Sequence, residues 1–257
     1  MYAPERQQEI LRLARERGRV EVPALAEEFE VTPETVRRDL NVLHRAGLIR
    51  RVHGGAIPAG RLDFEPDLAE REGTASGQKD RIARAALSEL PPVPQDNASV
   101  VIDAGTTTSR LAAALPVDSR FIVVTHALPV AARLSEFPDL TVHLVGGRLR
   151  HRTLAAVDAW ALRAYGEINA DVVFVAANGF SVRGGLTTPD LAEAAVKRAM
   201  MAAARRIVLL ADSDKYGQEH FARFGELSDV DLLITDTGLD PDDARVIERA
   251  GTEVVRA

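Results

Sequence analysis

The chain has 257 residues, no cysteine, 29 Arg against three Lys and a formal net charge of −6. Without cysteine, a disulfide framework, thiol catalysis and a Cys-based zinc site are excluded, and the acidic balance argues against indiscriminate binding to nucleic acid or anionic membranes. The length suggests two domains, and no apolar run has the character of a signal segment or a membrane span, so a soluble cytoplasmic protein is expected.

Ile10, Leu11, Leu13 and Ala14 line one side of a first helix that Gly18 ends. Val20 and Val22 form a short extended link, residues 22–29 a short second helix, and Glu30-Val31 a turn. Thr32 then suits an N-cap, Pro33 the first helical position, and Glu34 the positive end of the helix dipole. Val36, Leu40 and Leu43 make a stripe facing a core, which leaves Arg37 and Arg38 off that stripe in the first two turns. A recognition helix presents side chains to base edges from those turns. Gly47 stops the helix, and Arg50, Arg51 and His53 follow on a strand-like arm that ends in Gly54-Gly55. This is the order of a winged helix-turn-helix. The candidate DNA contacts are Thr32, Glu34, Thr35, Arg37, Arg38, Arg50, Arg51 and His53. Residues 36–56 carry five Arg against the single Asp39, so the basic footprint is local and survives the acidic total.

Residues 58–78 lose all period, with Pro58, Gly60, Pro66, Gly73 and Gly77, and read as a linker in which Phe64 could anchor on a neighbouring surface. A helix is predicted from about Lys79 to Leu90. Beyond it, apolar runs at 100–102, 121–124, 142–145, 172–175, 207–210, 232–234 and 253–255 alternate with helical segments at about 107–115, 127–137, 156–165, 189–205 and 241–250. Strands so apolar are covered on both faces, and the alternation predicts a doubly wound α/β domain with ligand loops at the carboxyl ends of its strands. The expected organisation is a winged helix-turn-helix over 1–57, a linker over 58–78 and a larger α/β domain over 79–257.

Polar residues gather at those strand ends. Asp103, Gly105, Thr106, Thr107 and Thr108 run from the first strand into a helix start, where backbone N–H groups and hydroxyls can hold a phosphate. There is no Walker loop and no dinucleotide fingerprint. Thr125 and His126 end the second strand, Gly146, Gly147 and Arg148 the third, and Asn178 and Gly179 the fourth. Thr187 and Asp190 lead into a helix on which Glu193 and Lys197, four apart, share a face. Lys215 follows the fifth strand. In a chain so rich in Arg, the three lysines Lys79, Lys197 and Lys215 mark places where a compact ammonium suits better than a planar guanidinium.

Residues 5–57 resemble the DNA-binding domain of the DeoR family of bacterial transcriptional regulators. The resemblance is carried by Val31-Thr32, by Thr35-Val36-Arg37-Arg38-Asp39-Leu40, and by Arg51-Val52-His53-Gly54-Gly55. Asp103-Ala104-Gly105-Thr106-Thr107, Gly146-Gly147, Gly185-Leu186-Thr187, Lys197 and Asp212 with Lys215 resemble that family's effector domain, whose fold is similar to sugar-phosphate isomerase and CoA-transferase domains. Many members have Asn where this chain has His126. The resemblance implies a DNA-binding repressor relieved by a phosphorylated sugar, with operator DNA as partner, homodimers or homotetramers as the assembly, and no cofactor, catalytic residue or metal site. The wording Thr187-Thr188-Pro189-Asp190 and then residues 193–200 resembles fructose-operon repressors, which makes fructose 1-phosphate the first effector to consider. Two other functions stay open: an isomerase-like enzyme using Asp103, Asp190 or Glu193 as base, and an interaction module with an empty pocket.

Overall fold

The computed structural model describes residues 2–45, 48–52, 54–58, 68–92 and 98–257. Helices and strands divide between two compact units, Met1–Phe64 and Glu65–Ala257.

In the first unit α1 (Ala3–Arg17), β1 (Val20–Glu21), α2 (Val22–Glu28), α3 (Pro33–Arg45), β2 (Ile49–Val52) and β3 (Gly55–Pro58) follow the predicted order. Gly18, in the left-handed region at φ 76°, closes α1 by donating its N–H to Ala14 O. Ile10, Leu13 and Ala14 of α1 meet Leu25 of α2 and Val36, Leu40 and Leu43 of α3 in one small buried core. A buried ion pair fastens α1 to α3, with Arg6 Nε 2.6 Å from Asp39 Oδ2, and the Gln7 amide donates to Asp39 Oδ1 at 2.9 Å. Asp39 is thus an internal strut of the Arg-Arg-Asp-Leu run. β2 and β3 pair antiparallel as the wing, with β1 added beyond β3.

The second unit opens with α4 (Leu68–Gly73) and α5 (Ser76–Ala86). Both begin inside the stretch read as linker. A six-residue helix is too short to print a period in the sequence, and Gly73 and Gly77 read as breakers although they sit at or inside helices. The chain continues through β4 (Ser99–Ile102), α6 (Thr106–Ala113), β5 (Ile122–Thr125), α7 (Leu128–Leu134), β6 (Thr141–Leu144), β7 (Arg148–Arg150), β8 (Ala155–Val157) and α8 (Ala159–Gly166). It ends with β9 (Ala170–Ala176), β10 (Gly179–Ser181), β11 (Gly185–Thr188), α9 (Leu191–Ala202), β12 (Ala204–Leu210), β13 (Ala222–Gly225), β14 (Leu232–Thr235), α10 (Pro241–Arg249) and β15 (Glu253–Arg256).

All seven predicted strands join one parallel sheet in the order β15-β14-β12-β9-β4-β5-β6. A separate apolar core lies on each face, one around Val101, Val173, Val175 and Leu209 and one around Val100, Ile102, Phe174 and Val208. This alternation of faces along single strands is what doubly covered parallel strands require. The direction of winding reverses between β4 and β9. The crevice at such a switch point is where open α/β sheets place their ligands. Two small antiparallel sheets, β7-β8 and β10-β11-β13, supplement the strand ends.

Candidate functional site

At the switch point Asp103, fully buried, ends β4. Its Oδ1 accepts the Ala104 N–H at 2.7 Å and its Oδ2 the Ala176 N–H at 2.8 Å, which ties the ends of β4 and β9 together. Lys197 Nζ, buried on α9, pairs with the same Oδ2 and donates to Ala176 O at 2.8 Å. The Phe224 ring centroid lies 5.5 Å from that ammonium. His126 Nε2 faces Asp103 Oδ1 at 3.7 Å, and His126 Nδ1 lies 3.0 Å from the Tyr165 hydroxyl. Burial lowers the His126 pKa, with Asp103 opposing and Lys197 adding to the shift, so the imidazole is neutral at neutral pH.

Glu193 and Lys197 share the buried face of α9 but do not pair with each other. Glu193 Oε1 accepts the Thr153 hydroxyl and, at 3.2 Å, Arg150 Nη1, while its Oε2 takes the Thr188 hydroxyl at 3.3 Å. Asp190 caps α9 by accepting the Glu193 N–H and meets Arg150 Nε at 3.2 Å. The Asn178 amide oxygen lies 3.1 Å from the same Thr188 hydroxyl, whose single proton it shares with Glu193 Oε2.

Thr106, Thr107 and Thr108 form the first turn of α6, all buried. Thr108 donates to Gly105 O at 3.0 Å, whereas Thr107 Oγ1 is buried and has no hydrogen-bond partner among the described residues. A buried hydroxyl left so at a helix N-terminus fits an anion-binding turn. Lys215, on the short turn after β12, is mostly buried and 3.6 Å from Asp212 Oδ2. Burial lowers its pKa; Asp212 opposes this, and Arg71 and Lys197 add to it. Lys79 of α5 is pushed down to about 8 by burial first and by the charge of Lys215 second. The charge of Lys215 thus acts on Lys79, and that of Lys197 on Lys215.

Several candidate residues have other duties. Thr187 is consumed structurally, its hydroxyl donating to Gly179 O at 3.1 Å and accepting the His220 N–H. Thr125 Oγ1 accepts the Ala127 N–H in a local turn. Gly147 and Gly179 mark close backbone approaches, since a Cβ would lie 2.5 Å from Val157 O and 2.2 Å from Gln218 O respectively. Gly146 is exposed. Arg148 is exposed and paired with Asp158 at 2.6 Å, whereas Arg150, two residues on, meets Asp190 and Glu193. Arg150, Thr153, Thr188, Tyr165, Asp212 and Lys79 complete the network beyond the candidate set. Of these, Lys79 carried a signal in its rarity, and Asp212 and Thr188 in the motifs that resemble the family.

In the first unit Thr32 Oγ1 accepts the Thr35 N–H at 3.3 Å as the N-cap of α3, and Glu34 pairs with Arg37 at 3.1 Å. Arg37 and Arg38 are exposed on α3. Arg51, exposed on the wing, donates to Asn41 Oδ1 at 2.6 Å and so links wing to helix. His53 and the side chain of Arg50 lie outside the described residues.

The depressed Lys79 has a consequence for stability. Its folded pKa of about 8 lies below the ordinary 10.5, so between those values the unfolded chain binds more protons and stability rises with pH. Below about pH 8 the fold bears the full cost of the buried charge. Lys215 acts in the same direction. Thermal melts across this window should show a shallower rise for Lys79→Met than for the wild type, and an unchanged slope would contradict the assignment.

A DeoR-like helix-turn-helix domain matches residues 6–59, and a DeoR C terminal sensor domain matches residues 74–237. Over 255 residues the chain is 37% identical to HTH-type transcriptional regulator GlpR of Haloferax volcanii, covering 99% of this chain and 98% of that one. It is 32% identical to the glycerol-3-phosphate regulon repressor of Escherichia coli K12, with 92% of each chain covered. Among solved structures, ribose 5 phosphate isomerase A from Neisseria gonorrhoeae aligns with a TM-score of 0.39 and 15% identity over 54% of this chain and 52% of that one.

Proposed function

The chain belongs to the DeoR family of transcriptional regulators, and from that premise we propose that it represses a sugar-uptake or sugar-catabolism operon and is relieved by a phosphorylated sugar. Paired α3 helices of a homodimer or homotetramer would hold the operator. The effector would bind at the switch point of the parallel sheet. Relief of repression requires that the effector bind the two states of the protein with different affinity.

What supports this reading best is the pair of largely buried lysines at strand ends, Lys197 against Asp103 and Ala176 O and Lys215 on the turn after β12. Lys197 is neutralised by Asp103, whereas Lys215 stands 3.6 Å from Asp212 and its charge opposes that of Lys79. The Thr107 hydroxyl, without a partner among the described residues, and the first turn of α6 supply neutral donors. A phosphate monoester suits such a set. The carboxylates, in contrast, are occupied: Asp103 by Lys197 and two backbone N–H groups, and Glu193 by Arg150, Thr153 and Thr188. That favours binding over base catalysis.

Fructose 1-phosphate is the first effector to test, on the resemblance of residues 187–200. Glycerol 3-phosphate is the second, on the name of the Escherichia coli relative. Melting temperatures with these two, fructose 1,6-bisphosphate and glucose 6-phosphate make the panel. The cognate ester at a hundred times its Kd should raise the Tm by roughly 5–10 °C. Lys215→Ala should lose that shift and keep operator affinity without ligand, giving a repressor deaf to inducer in cells. An unchanged shift in the variant would remove Lys215 from the site, and turnover of any ester would point to the isomerase reading instead.

A further inference from the structure

Asp103, Thr107, His126, Glu193 and Lys197, gathered around the switch point, each expose at most 5% of their surface. A polar ligand that touches them must first displace part of the cover, so the structure describes a closed site. The β7–β8 hairpin spans it. On one side β8 is bonded to the segment after β5. Ala127 bridges to Ala155, the Ala156 N–H donates to His126 O at 2.8 Å, and the Leu128 N–H donates to Leu154 O at 3.0 Å. On the other side the hairpin grips α9. Arg150 Nη1 lies 3.2 Å from Glu193 Oε1, the Thr153 hydroxyl donates to the same oxygen, and Arg150 Nε lies 3.2 Å from Asp190 Oδ2. One turn beyond Glu193, Lys197 meets Asp103 at the end of β4, and Asp103 in turn faces His126 at 3.7 Å. The hairpin therefore joins the two walls, the end of β5 and the start of α9, between which the Asp103–Lys197 pair is buried.

Among the described residues four non-glycine residues have positive φ, and two of them bound β8. Leu154, just before it, has φ 52°. Asp158, just after it, has φ 76° with ψ −166°, a combination natural to glycine. Backbone held in this way is strained and persists only where the surroundings over-determine it, above all at ligand clamps and switch segments. β8 is also short and small, Ala155-Ala156-Val157, so lifting it uncovers little apolar surface. Strain at both ends and little burial to lose describe a segment that opens locally once its side-chain bonds to α9 let go.

We propose that the β7–β8 hairpin is a lid over the effector site, latched by the Glu193 carboxylate and driven toward opening by the strained backbone at either end of β8. The proposal deepens the sensing reading and rests on it. Arg150 and Thr153 are the lid's half of the latch, and Glu193 and Asp190 are the half on the wall. Glu193 is on this reading a positioning residue, its oxygens spent on the lid. The same bonds close the site with or without a ligand inside. The latch therefore sets how fast a phosphorylated ligand enters and leaves, and has little effect on how tightly it is held.

The test is hydrogen–deuterium exchange on the full chain, read at residues 148–157 and at β4 and β9, with phosphorus NMR exchange rates for inorganic phosphate as the probe. In the wild type the hairpin amides should exchange roughly a hundredfold faster than those of β4 and β9. Thr153→Val removes one hydroxyl from the lid and Glu193→Gln removes the charge from the wall; each should speed hairpin exchange by about tenfold. Asp158→Gly relieves the more strained end, at the loss of one exposed ion pair, and should slow it by about fivefold. In Thr153→Val the on- and off-rates of phosphate should rise together by about tenfold, with the Kd within about twofold of wild type. A direct ligand contact would raise the off-rate and the Kd alone, and a merely structural threonine would move neither rate. If phosphate binds but the hairpin exchanges no faster than β4 and β9, the lid is wrong and the sensing reading stands. If the hairpin opens but neither phosphate nor the sugar-phosphate panel binds, the sensing reading fails and takes the lid with it. The wild-type measurements alone separate these two outcomes, even if a variant fails to fold.

Discussion

Asp103→Ala is expected to destabilise the effector unit by about 3–5 kcal/mol, because it leaves Lys197 charged and buried without a carboxylate. Lys197 would keep only Ala176 O and the face of Phe224. The same substitution strips the acceptor from the Ala104 and Ala176 N–H groups, each buried at the end of a central strand. Removing the charge as well separates these losses. The double variant Asp103→Ala/Lys197→Met should recover roughly half of the cost, since the unpaired ammonium is gone and only the two N–H groups remain unsatisfied. Urea unfolding followed by far-UV circular dichroism is the measurement, as the only tryptophan, Trp160, is largely exposed and a poor reporter. A cost below about 1 kcal/mol for the single variant would mean that the pair is not what joins β4 to β9.

Asp103 and Lys197 also mark the boundary of what the sequence could disclose. Parallel strands covered on both faces print as unbroken apolar runs, so all seven strands of the main sheet were legible from one chain. The accessory strands β10 and β11 were not, because Gly179, Gly185, Thr187 and Thr188 give neither an apolar run nor a clear alternation. α4 was lost among breakers for the same kind of reason. The strand-end residues were legible as a set, since every strand of a parallel sheet points its carboxyl end the same way. Their pairings were not. Asp103 and Lys197 are 94 positions apart, and the i, i+4 spacing of Glu193 and Lys197 gives them a common face but not their separate partners, Arg150 for one and Asp103 for the other. Spacing likewise left Arg148 and Arg150 indistinguishable on one short strand, although one meets Asp158 in solvent and the other meets Glu193 in the interior. Composition did better than spacing here. In a chain that uses Arg almost everywhere, Lys79, Lys197 and Lys215 stand out by rarity alone, and all three are largely buried.

Operator binding should depend most on Arg37 and Arg38. Both are exposed on α3 while Val36, Asp39 and Leu40 are buried, so the helix presents its arginines from a face that the core holds in place. The Arg6–Asp39 pair and the Val36, Leu40 and Leu43 stripe fix that face without either arginine. Substituting Arg37 and Arg38 should therefore leave stability within about 0.5 kcal/mol, and any loss of binding can be assigned to lost contacts with DNA. Each Arg that reads a guanine is worth about 1–3 kcal/mol and confers preference at its base. Together, Arg37→Ala/Arg38→Ala should weaken operator binding by roughly 30- to 20,000-fold. Arg51 is expected to act differently. Its bond to Asn41 sets the wing against α3, and a phosphate contact from the wing would weaken all sequences alike and lower the salt slope by about one when Arg51 is replaced by Ala. Arg37 begins from its pair with Glu34 at 3.1 Å, so Glu34→Ala should strengthen non-specific binding slightly by freeing the guanidinium and removing a negative charge. Fluorescence anisotropy with operator and scrambled duplexes at several salt concentrations measures all of these at once. Full-strength operator binding by the Arg37/Arg38 double variant would show that α3 is not the recognition helix.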